Sequence, residues 1–423
     1  MKHTRTILKN GTRVITVPMP ANPTVTVFVG VGTGGFYEDP EKSGISHFLE
    51  HMCFKGTTKR PAATAISTEL DNMGSVYNAF TDQEITAYYA KADIKHFEKV
   101  ADIVSDIYLD SIFPDKEIAK EKGVVLGEID MYNDDNQEKV ADALRIHMYK
   151  GEPAERSVIG TKETVSSITR DDLIKYRSCQ YKAANTAVII AGGVEETKML
   201  SWAEKAFAKA DEGVIGPEFA TRDRVQEGPE EVYLDKETDQ AHILVSWRTF
   251  NKSHPDRYIA SVIRAILVGG MSSRLFVRLR DELGSGYYVS ASHETRRSFG
   301  NFTIATGTTH SRVPEIAAAI LAEAKKLCDE DVPNHELAKV KEIMRAGKLM
   351  GLETSDSVAE FFGVQEITSD KIRTPEEIDA IIAAITPTDV RRVANFMFDP
   401  KKLTFAAIGK GIDKSAVSKA LTA

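Results

Sequence analysis

The sequence predicts an α+β protein made of two copies of one domain of about 200 residues. Three observations lead there. The 423 residues exceed one ordinary domain. Strand-like and helix-like patterns follow one another through both halves. The halves also match each other. At an offset of 217, Ile168-Thr169 meets Ile385-Thr386, Asp172 meets Asp389, Leu173 meets Val390 and Gly192 meets Gly409; at 215, Val27 to Val31 overlays His242 to Ser246. Residues 210–229, with Gly213, Gly216, Pro217, Gly228 and Pro229 in or beside them, lack sustained periodicity and read as a linker. The expected domains are therefore 1–209 and 230–423.

The elements follow in order. Thr6 to Pro18 alternates polar and apolar around the turn dipeptide Asn10-Gly11, as a hairpin does. Val25 to Val31 is a β-branched run closed by Pro23 and Gly32, hence a strand. A loop, Asp39 to Gly44, precedes a helix, and Ile85 to Ala90 is a further strand. Ile94, Phe97, Ala101, Val104 and Tyr108 mark an amphipathic helix, and helical character continues from Lys116 to Met148. Thr169 is a candidate helix cap, and Asn185 to Ala191 is a strand ended by Gly192-Gly193.

With 42 % hydrophobic and 27 % charged residues the composition is that of an ordinary globular protein. No apolar run approaches a membrane span, so no membrane partner is expected. The N-terminus has no apolar signal core and runs into a strand, so a bacterial cytoplasmic location is expected; a processed matrix or periplasmic form would read the same way. Cys53, Cys179 and Cys328 are odd in number and widely spaced, which implies no disulfide framework. A net charge of −8 argues against a nucleic-acid partner and is compatible with basic peptides.

The chemistry concentrates in Gly44-Ile45-Ser46-His47-Phe48-Leu49-Glu50-His51. His47 and His51, four apart, project from one helix face with Glu50 beside them. Two imidazoles and a carboxylate are the usual ligands of a hydrolytic zinc, and H-x-x-E-H is the inverted zincin (inverzincin) order. A helix with two surface histidines is the plainer reading. Against it stands Glu128, 77 residues after His51, in Glu121 to Glu128. Here the chain resembles the pitrilysin-like metallopeptidases, in particular their short two-domain branch with the mitochondrial processing peptidase beta subunit and its bacterial homologues. That family takes its third ligand from a glutamate at this distance and has another glutamate seven residues earlier, where this chain has Glu121. The repeat offers an internal comparison: His47, Glu50, His51 and Glu128 map to Val262, Ala265, Ile266 and Ile343, so the second copy has apolar core residues where the first has the polar set.

The resemblance implies two domains that each pack a mostly antiparallel sheet with helices. It implies one Zn2+ per chain on His47, His51 and Glu128, with Glu50 as general base toward a water on the zinc; Glu121 orients a ligand or the helix, or is an ordinary solvated helix glutamate. The expected activity is a metalloendopeptidase acting on peptides or presequence-like segments. Phe54 is either the pocket for the residue after the cut or an ordinary core residue. Asn78 and Ala79, in Tyr77 to Thr81, lie where an extended substrate pairs. Glu138 and Asp142 match carboxylates that receive a substrate arginine, or form a solvated helix face. Arg280 and Tyr287 match a pair in the C-terminal copy that holds substrate and stabilises the oxyanion, although Tyr288 is adjacent, or the segment is a Gly-rich turn with a packed tyrosine. Larger relatives fuse two such halves into a chamber, so this chain is expected to pair, as a homodimer or with a related subunit. The alternative is a non-catalytic structural subunit of the same family.

Overall fold

Two β-sheets organise the chain, and the computed structural model describes residues 1–422 around them. The first sheet contains β1 (Thr4–Ile7), β2 (Arg13–Pro18), β3 (Thr24–Val31), β4 (Val76–Thr81), β5 (Thr86–Asp93) and β6 (Thr186–Gly192). Their order is β1-β2-β6-β3-β5-β4. Every neighbouring pair is antiparallel except β2 with β6. The β-branched runs of β3 and β6 are buried almost end to end, as central strands covered on both faces must be.

The second sheet contains β7 (Glu230–Leu234), β8 (Ala241–Thr249), β9 (Val289–Thr295), β10 (Gly300–Thr308) and β11 (Leu403–Ile408). Its order is β7-β11-β8-β10-β9, with only β7 and β11 parallel. The repeat is visible at atomic detail. Thr169 with Asp172, and Thr386 with Asp389, form the same reciprocal capping box at the starts of matching helices.

The two compact units are discontinuous in sequence. One gathers Met1–Asp130, Arg156–Ala220 and Leu349–Thr374; the other gathers Met131–Glu155, Thr221–Lys348 and the chain from Pro375 onward. Each sheet thus receives a helix from the other half. In the first unit, helices Phe97–Leu109 and Glu196–Phe207 cover one face. The opposite face, with Ile15, Phe28 and Ile189, packs on Val358, Phe362 and Ile367 of helix Ser355–Thr368. Contact there is close enough to need glycine on both sides. A Cβ on Gly30 would lie 2.4 Å from Ile367, and one on Gly363 would lie 2.5 Å from Phe28. In the second unit, helix Asn136–Met148 packs on β8 and β11.

Several expected boundaries move. The helical stretch from Lys116 to Met148 is two helices, Asp115–Asp134 and Asn136–Met148. They are separated by Asp135, whose carboxylate caps the second by accepting from the Gln137 and Glu138 N–H groups. The amphipathic helix begins at Phe97, because Ile94 lies in a short 3-10 turn. Of the four residues that replace the polar set in the second copy, Val262, Ala265 and Ile266 are core. Ile343 is 39 % exposed and is not. No helix among the described residues is long and apolar enough to cross a membrane.

Candidate active site

The motif helix, Ile45–Cys53, buries Phe48, Leu49, Met52 and Cys53 in the core of the first unit, which leaves its other face to His47, Glu50 and His51. Its start is anchored by Glu38, a fully buried carboxylate that accepts from the N–H groups of Gly44 and Ser46, each at 2.8 Å. Burial pushes this carboxyl up to about 7, against the pull of those two donors and of Arg156. Gly44 starts the helix at φ 93, and a Cβ there would lie 2.7 Å from the Ile159 carbonyl oxygen. Tyr176 completes the anchor, its hydroxyl 2.7 Å from Ser46 Oγ and 2.8 Å from Thr33 Oγ1. Sequence reading missed Glu38. The available signal was an acid shortly before a helix N-terminus, but it sits six residues from the cap rather than at it.

Helix Asp115–Asp134 brings Glu121 and Glu128 to the same place. His47 Nε2 and His51 Nε2 each lie 3.8 Å from Glu128 Oε2, and one ligand atom from each of the three residues falls within 4.8 Å of the others. These separations are too long for hydrogen bonds. They are near the spacing of about 3.4 Å that tetrahedral zinc bonds of about 2.0–2.1 Å impose between ligand atoms. The donor set, two imidazole nitrogens and one carboxylate oxygen, suits zinc and leaves a position open. Burial, and after it the neighbouring His51, push the His47 imidazole down to about 4, so at pH 7 it is neutral and offers a lone pair. His51 Nδ1 lies 3.2 Å from Glu121 Oε2. A carboxylate only accepts, so Nδ1 is the donor in this pair, and Nε2 is the nitrogen that faces Glu128. Glu121 is itself buried and held by Lys55 Nζ, 2.7 Å from Oε1, a partner that sequence reading did not single out.

Glu50 stands beside this cluster without joining it. The Thr81 hydroxyl, at the end of β4, donates to Glu50 Oε2 at 2.6 Å. Burial holds Glu50 above the usual carboxylate range, while Thr81 and His51 draw it down. A cavity of about 490 Å³ opens here, with Glu50, His51, Phe54, Ile66, Tyr77 and Asn78 in its wall. Phe54 is therefore both a cavity wall and a core neighbour, 6.2 Å from the Tyr88 ring. Asn78 and Ala79 lie on β4, the edge of the sheet, and Asn78 Oδ1 accepts the Ala79 N–H at 2.9 Å.

Four expected site residues belong to the second unit: Glu138, Asp142, Arg280 and Tyr287. Asp142 is already engaged by Arg145 at 2.7 Å. Glu138 is exposed, its carboxyl raised first by desolvation and then by Asp135 and Asp142. Arg280 lies in a π-helical turn, Val277–Glu282, over the Phe276 ring at 5.1 Å. The adjacent tyrosines differ. The Tyr288 hydroxyl pairs with His242 Nδ1 at 3.1 Å, whereas Tyr287 is 68 % exposed and its side chain has no hydrogen bond among the described residues.

Comparison with known proteins identifies the family and the fold. Residues 13–162 match the model of the insulinase family (peptidase family M16), and residues 167–344 match that of the peptidase M16 inactive domain. An uncharacterized zinc protease of Rickettsia felis is 33 % identical over 402 residues, 95 % of this chain and 96 % of that one. The probable mitochondrial-processing peptidase subunit beta of Schizosaccharomyces pombe is 30 % identical over 424 residues, 96 % of this chain and 90 % of that one. A protease from Helicobacter pylori shares the fold, with a TM-score of 0.92 at 22 % identity over 96 % of this chain and 99 % of that one. The matches span both halves of the chain, and on them it belongs to peptidase family M16.

Proposed function

We propose that this protein is a zinc endopeptidase that cleaves extended peptides. The observation that supports this most is the convergence of His47, His51 and Glu128, with Glu50 beside them and outside the ligand set. When bound, zinc supplies a Lewis acid that polarises a peptide carbonyl and acidifies water. Glu50 takes the proton from the attacking water and returns it to the amine as the carbon–nitrogen bond breaks. Glu121 keeps His51 in the tautomer that presents Nε2 to the metal, and Lys55 balances the Glu121 charge. The free edge of β4, with Asn78 and Ala79, accepts an extended substrate by strand addition. Phe54 lines the pocket for the side chain that follows the cut.

Arg280 and Tyr287 supply a cation and a phenol toward the developing oxyanion. They act from a second copy of the chain, so the working unit is a homodimer with composite sites. The test is cleavage of unstructured peptides followed by mass spectrometry. Turnover is expected to vanish with a chelator and return with stoichiometric zinc; cleavage that persists in chelator rejects the reading.

Specificity for arginine two residues before the cut rests on Glu138 more than on Asp142, because Arg145 already neutralises Asp142. Glu138→Gln is expected to lower kcat/KM for arginine peptides by ~1.5–3 kcal/mol, with neutral peptides unchanged. Asp142→Asn should lose less. Equal losses on arginine and neutral peptides would show that neither carboxylate reads the substrate.

A further inference from the structure

We propose that Thr81 is the positioning residue of Glu50, and that it ties the base to the strand on which the substrate lies. This rests on the assignment of Glu50 as the base. A glutamate side chain has three rotatable bonds, and a carboxylate that turns freely offers either oxygen in many directions. Here the Thr81 hydroxyl donates to Glu50 Oε2 at 2.6 Å. With that oxygen engaged, Oε1 is left to accept the proton of the attacking water, and its direction is set.

The donor is well placed to do this. Thr81 is the last residue of β4 and pairs with Thr86 of β5, so its backbone is held by the sheet. Glu50 is held separately, by the motif helix whose apolar face is buried in the core. The bond therefore joins two rigid elements at the point where their functional groups meet. It also has a consequence for register. β4 is an edge strand, and its outer side is the one an added peptide would pair with. A peptide aligned on β4 then shares a frame with the hydroxyl that aims the base, so the alignment of the substrate and that of the carboxylate are not independent.

Thr81→Val keeps the shape and β-propensity and removes the donor; Thr81→Ser keeps the donor. Thr81→Val is expected to lower kcat by about 10- to 100-fold, the loss typical of a misplaced catalytic group. KM, bound zinc per chain and the thermal midpoint of the zinc-loaded protein should stay at wild-type values. Thr81→Ser should return kcat to within about threefold of wild type, since the hydroxyl is restored. Three outcomes overturn the proposal: unchanged kcat in Thr81→Val, a Thr81→Ser variant as slow as Thr81→Val, or a loss in Thr81→Val explained by lost zinc or a lowered midpoint. Failure of the underlying assignment is seen separately, as a Glu50→Gln protein that still turns over, and the proposal falls with it.

Discussion

Glu50→Gln is expected to abolish peptide hydrolysis while leaving zinc bound. Gln is nearly isosteric and still accepts the Thr81 hydroxyl through its carbonyl oxygen, so the local structure has no reason to change. What disappears is the capacity to take a proton. A positioned general base is worth roughly 10²- to 10⁴-fold, and the loss should fall on kcat. Zinc stays because the converging atoms are those of His47, His51 and Glu128, not of Glu50. The paired control is Glu128→Gln, which keeps Glu50 and loses a charged ligand, so zinc and turnover should go together. Near wild-type turnover in Glu50→Gln, or zinc loss from it, contradicts this division of roles.

The second large effect is rescue between inactive variants. His47, His51, Glu50 and Glu128 belong to one compact unit, and Arg280 and Tyr287 to the other. If the two sets meet across a homodimer, Glu50→Gln and Arg280→Ala are each inactive alone but complement when subunits exchange. In a mixed dimer one site takes both defects and the other takes neither. Half the dimers in an equal mixture are mixed, so activity should rise to about one quarter of wild type. Mixed dimers that form and stay inactive would show that the pair works within its own chain or takes no part.

What could be read in the residues, and what could not, follows from range. His47, Glu50 and His51 are legible because a helix converts spacings of three and four into one face. Glu128 is 77 residues further on, and no local rule reaches it; it was reached through the family pattern. Glu38 and Thr81 were missed for the same reason. Each acts on the motif helix across a loop or a sheet, through a bond that no periodicity encodes. The helix Ser355–Thr368 is a different failure. Its apolar residues Val358, Phe361, Phe362, Val364 and Ile367 are spread around the helix, while the face it buries also carries Ser355, Gly363 and Glu366, so its sequence pattern gives no direction, and nothing in it says that it covers the sheet of the other half. The two-copy repeat was legible in the offsets, and the matching capping boxes at Thr169 and Thr386 bear it out. Proximity in sequence also left Tyr287 and Tyr288 indistinguishable. The structure separates them, because only Tyr288 is engaged by His242.

His47, His51 and Glu128 are expected to hold the zinc ion that serves hydrolysis. Crystals of the zinc-loaded protein, measured on both sides of the zinc absorption edge, test it most directly. The expected result is one anomalous peak per chain, bonded to Nε2 of His47, Nε2 of His51 and a Glu128 oxygen, with Glu50 outside the bonding shell. A peak elsewhere, or an active protein with no peak among these three residues, would contradict it.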